Sequence, residues 1–246
     1  MRRKKKKRNG VVIIMDIKNK VVIVTGASEG IGKAIAEKLA KEGAKLVLAA
    51  RSEDKLAALA HELPGSVAVR ADMSDQNEIQ NLIDRAMEMH GRIDILVNNA
   101  GQGMIGPVES VDIDKYRHIM DLNVFGPLFA MELVIPHMRA QGGGMIVNIS
   151  SRVSKNYFPM LGAYASTKYA LNALSLTARA ELAKDNIIVS VMHPKMTATN
   201  FNKNALGEPV DFSNRAGRPA MEIDTAEQVA DKTIELIKSE AAEAEM

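Results

Sequence analysis

The sequence contains no cysteine and no long apolar run, and each absence excludes a class of protein. Without cysteine there is no disulfide framework and no thiol chemistry, which agrees with a reducing compartment and favours a cytoplasmic protein. No apolar run approaches the ~18 residues of a membrane-spanning helix, so no membrane span is expected. The apolar run at 11–15 is too short for the hydrophobic region of a signal peptide.

Positive charge is concentrated near the N-terminus, where residues 2–8 read RRKKKKR. The rest of the chain contains 25 of the 32 basic residues and all 30 acidic ones, so its net charge is −5. A mildly acidic body does not look like a nucleic-acid binder. We predict that residues 1–17 form a disordered basic extension, although the run alternatively suits contact with nucleic acid or anionic lipid, or a nuclear address. Residues 18–246 are predicted to form a single domain.

Short apolar runs rich in β-branched residues alternate with helical periodicity. Strands are predicted at 20–24, 45–50, 66–71, 93–97, 145–149 and 187–192, and helices at 31–42, 53–61, 75–90, 112–139, 162–184 and 225–239. We expect a bend in the fourth helix near Gly126-Pro127. The alternation predicts an α/β fold, a Rossmann-like doubly wound parallel sheet of about six strands in three α/β/α layers. Ligands bind such sheets at the carboxyl ends of the strands.

A glycine-rich turn, TGASEGIG at 25–32, follows the first of these predicted strands. Glycine adopts positive φ and lets the backbone approach a ligand closely. The helix that follows offers free N–H groups and a partial positive charge to a phosphate. The spacing of Gly26, Gly30 and Gly32 differs from the usual dinucleotide fingerprint. The turn favours phosphate binding, and a tight strand–helix turn without a ligand is the alternative.

The stretch SRVSKNYFPMLGAYASTK, at 151–168, carries a hydroxyl, a phenol and an ammonium group. A spacing of four places Tyr164 and Lys168 on one face of a helix. Because a nearby cation favours the phenolate, we expect Lys168 to lower the pKa of Tyr164 towards neutral pH, where proton transfer is efficient. Taken alone, the pattern suits an ordinary amphipathic helix equally well.

Together these motifs make the chain resemble the classical short-chain dehydrogenase/reductase (SDR) family over about residues 18–240. TGASEGIG resembles the family's cofactor turn, and NNAG at 98–101 resembles its fourth-strand motif. Its catalytic tetrad is matched by Asn123, Ser151, Tyr164 and Lys168. The resemblance implies reversible hydride transfer between a nicotinamide cofactor and a carbonyl or alcohol substrate, by an enzyme that forms a homodimer or homotetramer.

The resemblance also implies what each residue does. Tyr164 exchanges a proton with the substrate oxygen, and Ser151 hydrogen-bonds that oxygen. Lys168 holds the nicotinamide ribose and Asn123 holds a water in a proton relay, and no metal is implied. The implied cofactor contacts are Gly26, Ser28, Gly30, Ile31, Gly32, Arg51, Asp72, Asn98, Ala100, Gly101, Tyr164, Lys168, Pro194, Thr197 and Thr199.

The end of the second strand favours NADP over NAD as the cofactor. An acid there bonds the ribose 2′-hydroxyl and repels a 2′-phosphate, whereas a base accommodates the phosphate. The strand ends in Arg51 with no acid before Glu53, and Ser28 adds a hydroxyl donor. Glu29 opposes this preference, because NADP users of the family often carry a base there, unless it turns to solvent or pairs with Arg51.

The sequence departs from the family pattern at two places, and an alternative function is also compatible with it. Pro194-Lys195 replaces a common Pro-Gly, and the acidic end EAAEAEM puts the seventh edge strand of many members in question. The alternative is a catalytically idle dinucleotide-binding sensor or scaffold. Such a protein is free to lose Tyr164 and Lys168, and both are present.

The substrate cannot be read from the residues. Four methionines are candidates for an adaptable apolar pocket, and core packing is the competing interpretation for at least half of them. They are Met104, Met160, Met192 and Met196.

Overall fold

The computed structural model describes residues 6–8, 11–13, 15–207 and 222–246. Two short antiparallel strands, β1 (Lys6–Arg8) and β2 (Val11–Ile13), come first in the chain. The later strands are β3 (Val21–Thr25), β4 (Lys45–Ala50), β5 (Ser66–Arg70), β6 (Ile95–Asn98), β7 (Met104–Ile105), β8 (Gly144–Ile149), β9 (Ile187–His193), β10 (Leu206–Gly207) and β11 (Glu243–Glu245). The helices are α1 (Gly30–Lys41), α2 (Glu53–Glu62), α3 (Gln76–His90), α4 (Ile113–Met120), α5 (Gly126–Ala140), α6 (Gly162–Leu182) and α7 (Ala226–Ser239).

Seven strands form one parallel sheet in the order β5–β4–β3–β6–β8–β9–β11. The chain moves outward from β3 in one direction through β4 and β5, and in the other direction from β6. The switch point therefore lies between β3 and β6, where a crevice opens at the carboxyl ends of the strands. The predicted doubly wound α/β fold is confirmed.

Side chains of the central strands alternate between two apolar cores, one on each face of the sheet. On β3, Val22 and Val24 join the core formed with α1 and α7, whereas Ile23 joins the core formed with α3 and α5. All three are fully buried. Burial on both faces explains why the strands read as continuous apolar runs and not as alternating ones.

The acidic C-terminal residues form the seventh strand, which corrects the expectation of about six strands. β11 pairs in parallel with β9. Glu243 accepts hydrogen bonds from Lys155 Nζ at 2.7 Å and His193 Nε2 at 2.8 Å. Arg179 donates to the carbonyl of Glu240 at 2.8 Å and secures the approach to the strand. Glu243, one of the acidic residues that put this strand in question, is thus bonded to Lys155 and His193.

The packed body begins earlier than the predicted boundary between residues 17 and 18. Met15 and Ile17 are buried in the core that contains α1 and α7, and the Met15 N–H donates to the carbonyl of Lys238 at 3.3 Å. The described backbone of 6–8 and 11–13 is paired as β1 and β2. The sequence missed this docking because the apolar run at 11–15 is too short to show a period, and Ile17 stands alone between Asp16 and Lys18.

One continuous helix, 113–140, is long and apolar enough to cross a membrane by length and composition alone. The expectation of no membrane span rested on uninterrupted apolar runs and overlooked this segment. Half of its most apolar window is buried inside the protein, and Ala130, Met131 and Val134 pack in the core with α3. A helix that covers one face of a sheet passes the same test, so the criterion is weak evidence for a membrane.

Candidate active site

A cleft of about 970 Å³ opens at the carboxyl ends of β3, β4, β6 and β8. One end is formed by the glycine-rich turn after β3 and by Arg51 after β4. The other end contains Ser151, Tyr164 and Lys168. The crevice predicted from strand order therefore holds both the turn and the 151–168 stretch.

The glycine turn is tied to the loop after β6 by Thr25 and Asn99. The Thr25 hydroxyl accepts hydrogen bonds from the N–H groups of Asn99 and Ala100 at 3.0 and 3.1 Å. The Asn99 side chain donates to the carbonyls of Thr25 and Gly26 at 3.0 and 3.2 Å. Sequence reasoning assigned neither Thr25 nor Asn99 to the site, although both belong to the motifs that it quoted.

The turn has the shape that a dinucleotide phosphate needs. Gly26 and Gly30 have φ of +64° and +57°, and a Cβ added to Gly26 would lie 2.9 Å from the Ala100 Cα. No side chain caps the start of α1, and its first turn contains no acid. Because a helix N-terminus presents N–H groups and a positive dipole, these residues fit the pyrophosphate of a nicotinamide cofactor.

Gly32 supports the turn from beneath and does not line the cleft. A Cβ at this position would collide with the Gly26 carbonyl oxygen and the Asn99 side chain. We expect Gly32→Ala to cost about 1–3 kcal/mol of stability by overpacking, which lowers Tm by several degrees in a domain of this size. Displacement of the turn should also weaken cofactor binding, which titration of NADPH fluorescence measures.

Gly106→Ala is the matched control for this change. An added Cβ at Gly106 meets no atom within 4 Å, and its φ is not positive. Equal Tm values for Gly32→Ala and wild type would contradict the packing role of Gly32.

The predicted cofactor contacts divide into two groups in the structure. Those that line the cleft are Gly26, Ser28, Gly30, Ile31, Arg51, Asp72, Ala100, Gly101, Tyr164, Lys168, Pro194, Thr197 and Thr199. Gly32 and Asn98 do not line it. Asn98 is the last residue of β6 and faces the core, where its amide donates to Asn148 Oδ1 at 2.8 Å. The amide that faces the cleft is that of Asn99, one residue later.

Tyr164 and Lys168 both lie on the inner face of α6, where they are 8% and 4% exposed. Burial raises the pKa of the Tyr164 phenol, and a hydrogen bond with Ser151 offsets only part of this rise. The predicted shared face of the helix is therefore present. The expected lowering of the Tyr164 pKa is not.

The position of Lys168 explains this correction. Its Nζ donates to the carbonyl oxygen of Ile149 at 3.0 Å and lies 6.0 Å from the centre of the Tyr164 ring. Burial lowers the pKa of Lys168 to about 8. Desolvation disfavours the charged form of both groups, so it raises the pKa of the phenol and lowers that of the ammonium.

Asn123 lies in a π-helical turn, Asp121–Phe125, between α4 and α5. Its side chain accepts from the Gln102 N–H at 2.9 Å and donates to the Gln102 carbonyl at 2.9 Å and to Thr167 Oγ1 at 3.1 Å. π-turns widen a helix locally and are frequent at functional sites. The irregularity of the helix is thus centred on Asn123 itself, before the predicted bend at Gly126-Pro127.

The end of the cleft near Tyr164 is largely apolar. Its apolar side chains are Met104, Ile105, Val153, Leu161, Met196 and Phe201. The Phe201 ring lies 5.6 Å from that of Tyr164. Met104 and Met196 therefore face the cleft, whereas Met192 is fully buried in the core and Met160 lies outside the lining.

A family model described as short chain dehydrogenase matches residues 20–208 of this chain. The chain belongs to the short-chain dehydrogenase/reductase family. This SDR is 38% identical over 199 residues to an Anopheles gambiae protein named dehydrogenase/reductase SDR family protein 7-like, with 77% of this chain and 63% of that protein covered. It is 32% identical over 209 residues to an uncharacterized oxidoreductase of Staphylococcus epidermidis, with 84% and 88% covered.

Solved structures share the fold and bind nicotinamide cofactors. A 3-ketoacyl-(acyl-carrier-protein) reductase from Brucella melitensis, complexed with NADH, superposes with a TM-score of 0.84 at 26% identity, covering 93% of this chain and 98% of that one. An L-sorbose reductase from Gluconobacter frateurii, complexed with NADPH and L-sorbose, gives 0.83 at 28% identity, covering 94% and 97%. This SDR is therefore an oxidoreductase that acts on CH–OH or C=O groups with a nicotinamide cofactor.

Proposed function

We propose that this SDR is an NADP-dependent oxidoreductase that interconverts an apolar carbonyl compound and its alcohol. The observation that supports this most directly is the single cleft shared by the glycine turn and by Ser151, Tyr164 and Lys168. A hydride donor bound along the turn can reach a substrate beside Tyr164 only in such a common space. A screen of NADPH oxidation against ketones, aldehydes, 3-oxoacyl thioesters and sugars tests the proposal.

A bound nicotinamide cofactor supplies or accepts the hydride, and the chain positions the substrate and moves the proton. Tyr164 donates its phenolic proton to the substrate oxygen during reduction, and its raised pKa keeps that proton in place at neutral pH. Ser151 hydrogen-bonds the same oxygen. Apolar side chains of the cleft exclude water and so strengthen both hydrogen bonds.

Lys168 and Asn123 support this proton transfer from behind Tyr164. In the described part of the chain, Lys168 Nζ has one hydrogen-bond acceptor, the Ile149 carbonyl, so its remaining N–H donors can hold ribose hydroxyls. Asn123 positions Gln102 and a relay water next to Lys168. An added Cβ at Gly101 would lie 3.0 Å from Asn123 Oδ1 and 3.6 Å from Lys168 Nζ, so the two side chains share one small space.

The alternative, an idle dinucleotide-binding sensor or scaffold, is favoured by no feature of this geometry. An idle site needs no phenol and serine at the same end of the cleft, yet Tyr164 and Ser151 both line it. It also gains nothing from a buried lysine, which costs desolvation free energy. Turnover of any carbonyl substrate in the screen would exclude the alternative.

The corner of the cleft beyond β4 supports the preference for NADP. Ser28, Arg51 and Lys55 line it. Arg51 is 58% exposed, and its Nη1 lies 3.8 Å from Asp72 Oδ2, so this ion pair is loose. Glu29 pairs with Lys55 at 2.9 Å and not with Arg51. Arg51 therefore keeps a fork of donors for the oxygens of a 2′-phosphate.

We expect Arg51→Ala to lower the ratio of kcat/KM for NADP to that for NAD by about tenfold or more. Hydrogen bonds to charged groups are worth ~1.5–3 kcal/mol. NAD lacks the 2′-phosphate that would accept them, so the substitution weakens the binding of NADP alone. Arg70→Ala is the control, since Arg70 bonds Glu78 at 2.9 Å outside the cleft. Equal use of NAD by the wild type, or an unchanged ratio in Arg51→Ala, would overturn the NADP assignment.

A further inference from the structure

A row of hydrogen bonds crosses the cleft between α2 and the loop after β6. Lys55 Nζ donates to Glu29 Oε2 at 2.9 Å, and Asn204 Nδ2 donates to Glu29 Oε1 at 3.2 Å. Gln102 Nε2 donates to the Asn204 carbonyl at 2.7 Å. We call Lys55, Glu29, Asn204 and Gln102 the polar strap, and all four line the cleft.

The polar strap joins the glycine turn to the groups around the reacting centre. At one end, Gln102 is held through its backbone N–H and carbonyl by Asn123. In the middle, Asn204 belongs to the loop 199–205, whose Phe201 packs on the Tyr164 ring. Glu29 is the link on the glycine turn, so its carboxylate connects the cofactor side of the cleft to the substrate side.

Besides Lys55, the described partners of the Glu29 side chain are Asn204 and Asn200, both in the loop 199–205. Glu29 precedes α1, yet its side chain makes no capping hydrogen bond. The hydrogen bond from Lys55 lowers the pKa of its carboxyl against the opposing effect of burial, so Glu29 is ionised at neutral pH. The Glu29 and Lys55 side chains are 38% and 58% exposed, so their ion pair is weak enough to break and re-form.

We propose that Glu29 is a positioning residue, and that the polar strap holds the loop 199–205 over the bound cofactor and slows its release. The proposal rests on the proposed function, because it requires a dinucleotide in the cleft. Loops that close over an active site often set the rate of product release.

The direction in which one substitution changes the rate of cofactor release separates this role from simple electrostatics. Glu29 stands beside the turn that fits the cofactor phosphates, so by charge alone its removal should strengthen binding and slow release. If the polar strap retains the cofactor, Glu29→Ala should instead speed its release. Asn204→Ala removes the same bond without a change of charge and leaves the carbonyl that Gln102 uses.

The experiment measures NADPH dissociation from the full chain by stopped-flow fluorescence, with excess NADP⁺ as the displacing ligand. The chain contains no tryptophan, so nucleotide fluorescence is recorded without energy transfer from that residue. We expect Glu29→Ala and Asn204→Ala each to raise the dissociation rate about three- to tenfold, as loss of one or two hydrogen bonds predicts. The double variant should release NADPH no faster than the faster single one, because the residues act through one link.

Glu88→Ala is the matched control. Glu88 lies on α3, pairs with Arg85 at 2.8 Å and does not line the cleft, so its substitution removes the same charge without touching the polar strap or the loop 199–205. Its dissociation rate should equal that of the wild type. Slower or unchanged release from Glu29→Ala would overturn the role proposed for the polar strap. So would a double variant whose rate increase equals the product of the two single increases. A wild type that binds no NADPH would overturn the proposed function itself, and this is measured first.

Discussion

The substitution Tyr164→Phe should lower kcat by about 10²–10⁴-fold, the usual worth of a positioned acid–base group. The change removes the phenol hydroxyl and keeps the ring that packs on Phe201. Lys168 retains its bond to the Ile149 carbonyl. The dissociation constant of NADPH should therefore stay within a few-fold of the wild-type value.

Tyr116→Phe provides the matched control for loss of a hydroxyl. Tyr116 packs in the same apolar cluster as Tyr164, but its hydroxyl bonds Ser166 at 2.8 Å outside the cleft. Its kcat should be close to that of the wild type. Retention of more than about a tenth of the wild-type kcat by Tyr164→Phe would falsify the acid–base assignment.

The substitution Lys168→Met should remove most activity and at the same time raise stability. Loss of a preorganised donor at a reacting centre typically costs ~10²–10³-fold in kcat. Burial, however, lowers the pKa of Lys168 from 10.5 to about 8. A shift of this size means that the charged side chain destabilises the folded state by on the order of 3 kcal/mol at neutral pH.

The pH dependence follows from the direction of that shift. Because the folded-state pKa lies below the unfolded-state value, the penalty is complete below about pH 8 and disappears as the pH rises past 10.5. Methionine removes the penalty but leaves the Ile149 carbonyl without its partner, which costs about 1 kcal/mol. We expect Lys168→Met to raise Tm by ~4–8 °C at pH 7, with a smaller gain at higher pH.

Lys184→Met is the control for this stability measurement, since Lys184 is exposed at the end of α6. Its Tm should match that of the wild type by differential scanning calorimetry. A lower Tm for Lys168→Met at pH 7, or a gain that grows with pH, would show that the buried charge is compensated by other groups.

Most secondary structure could be predicted because local periodicity and glycine stops determine it. The predicted strand 45–50 coincides with β4, and the predicted helix 162–184 differs from α6 only at its last two residues. The seventh strand could not be predicted in this way. β11 has three residues, two of them acidic, and its stability comes from pairing with β9 and from bonds to Lys155 and His193.

The composition of the site was readable from spacing, whereas its geometry was not. Tyr164 and Lys168 are four positions apart, about one turn of helix, so the shared face followed from the sequence alone. The choice between Asn98 and Asn99 did not, because the register of β6 decides which amide faces the core. The partner of Glu29 was equally hidden, since Lys55 lies 26 residues away on another helix.

By itself, the sequence determined the family, the order of the elements and the edge of the sheet at which chemistry-bearing residues gather. These depend on local periodicity and on short motifs, which survive without knowledge of distant contacts. Tertiary structure alone decided how those residues are charged and connected. Desolvation depends on everything packed around a group, so only the folded chain reveals that burial, and not the attraction of Lys168, governs the pKa of Tyr164.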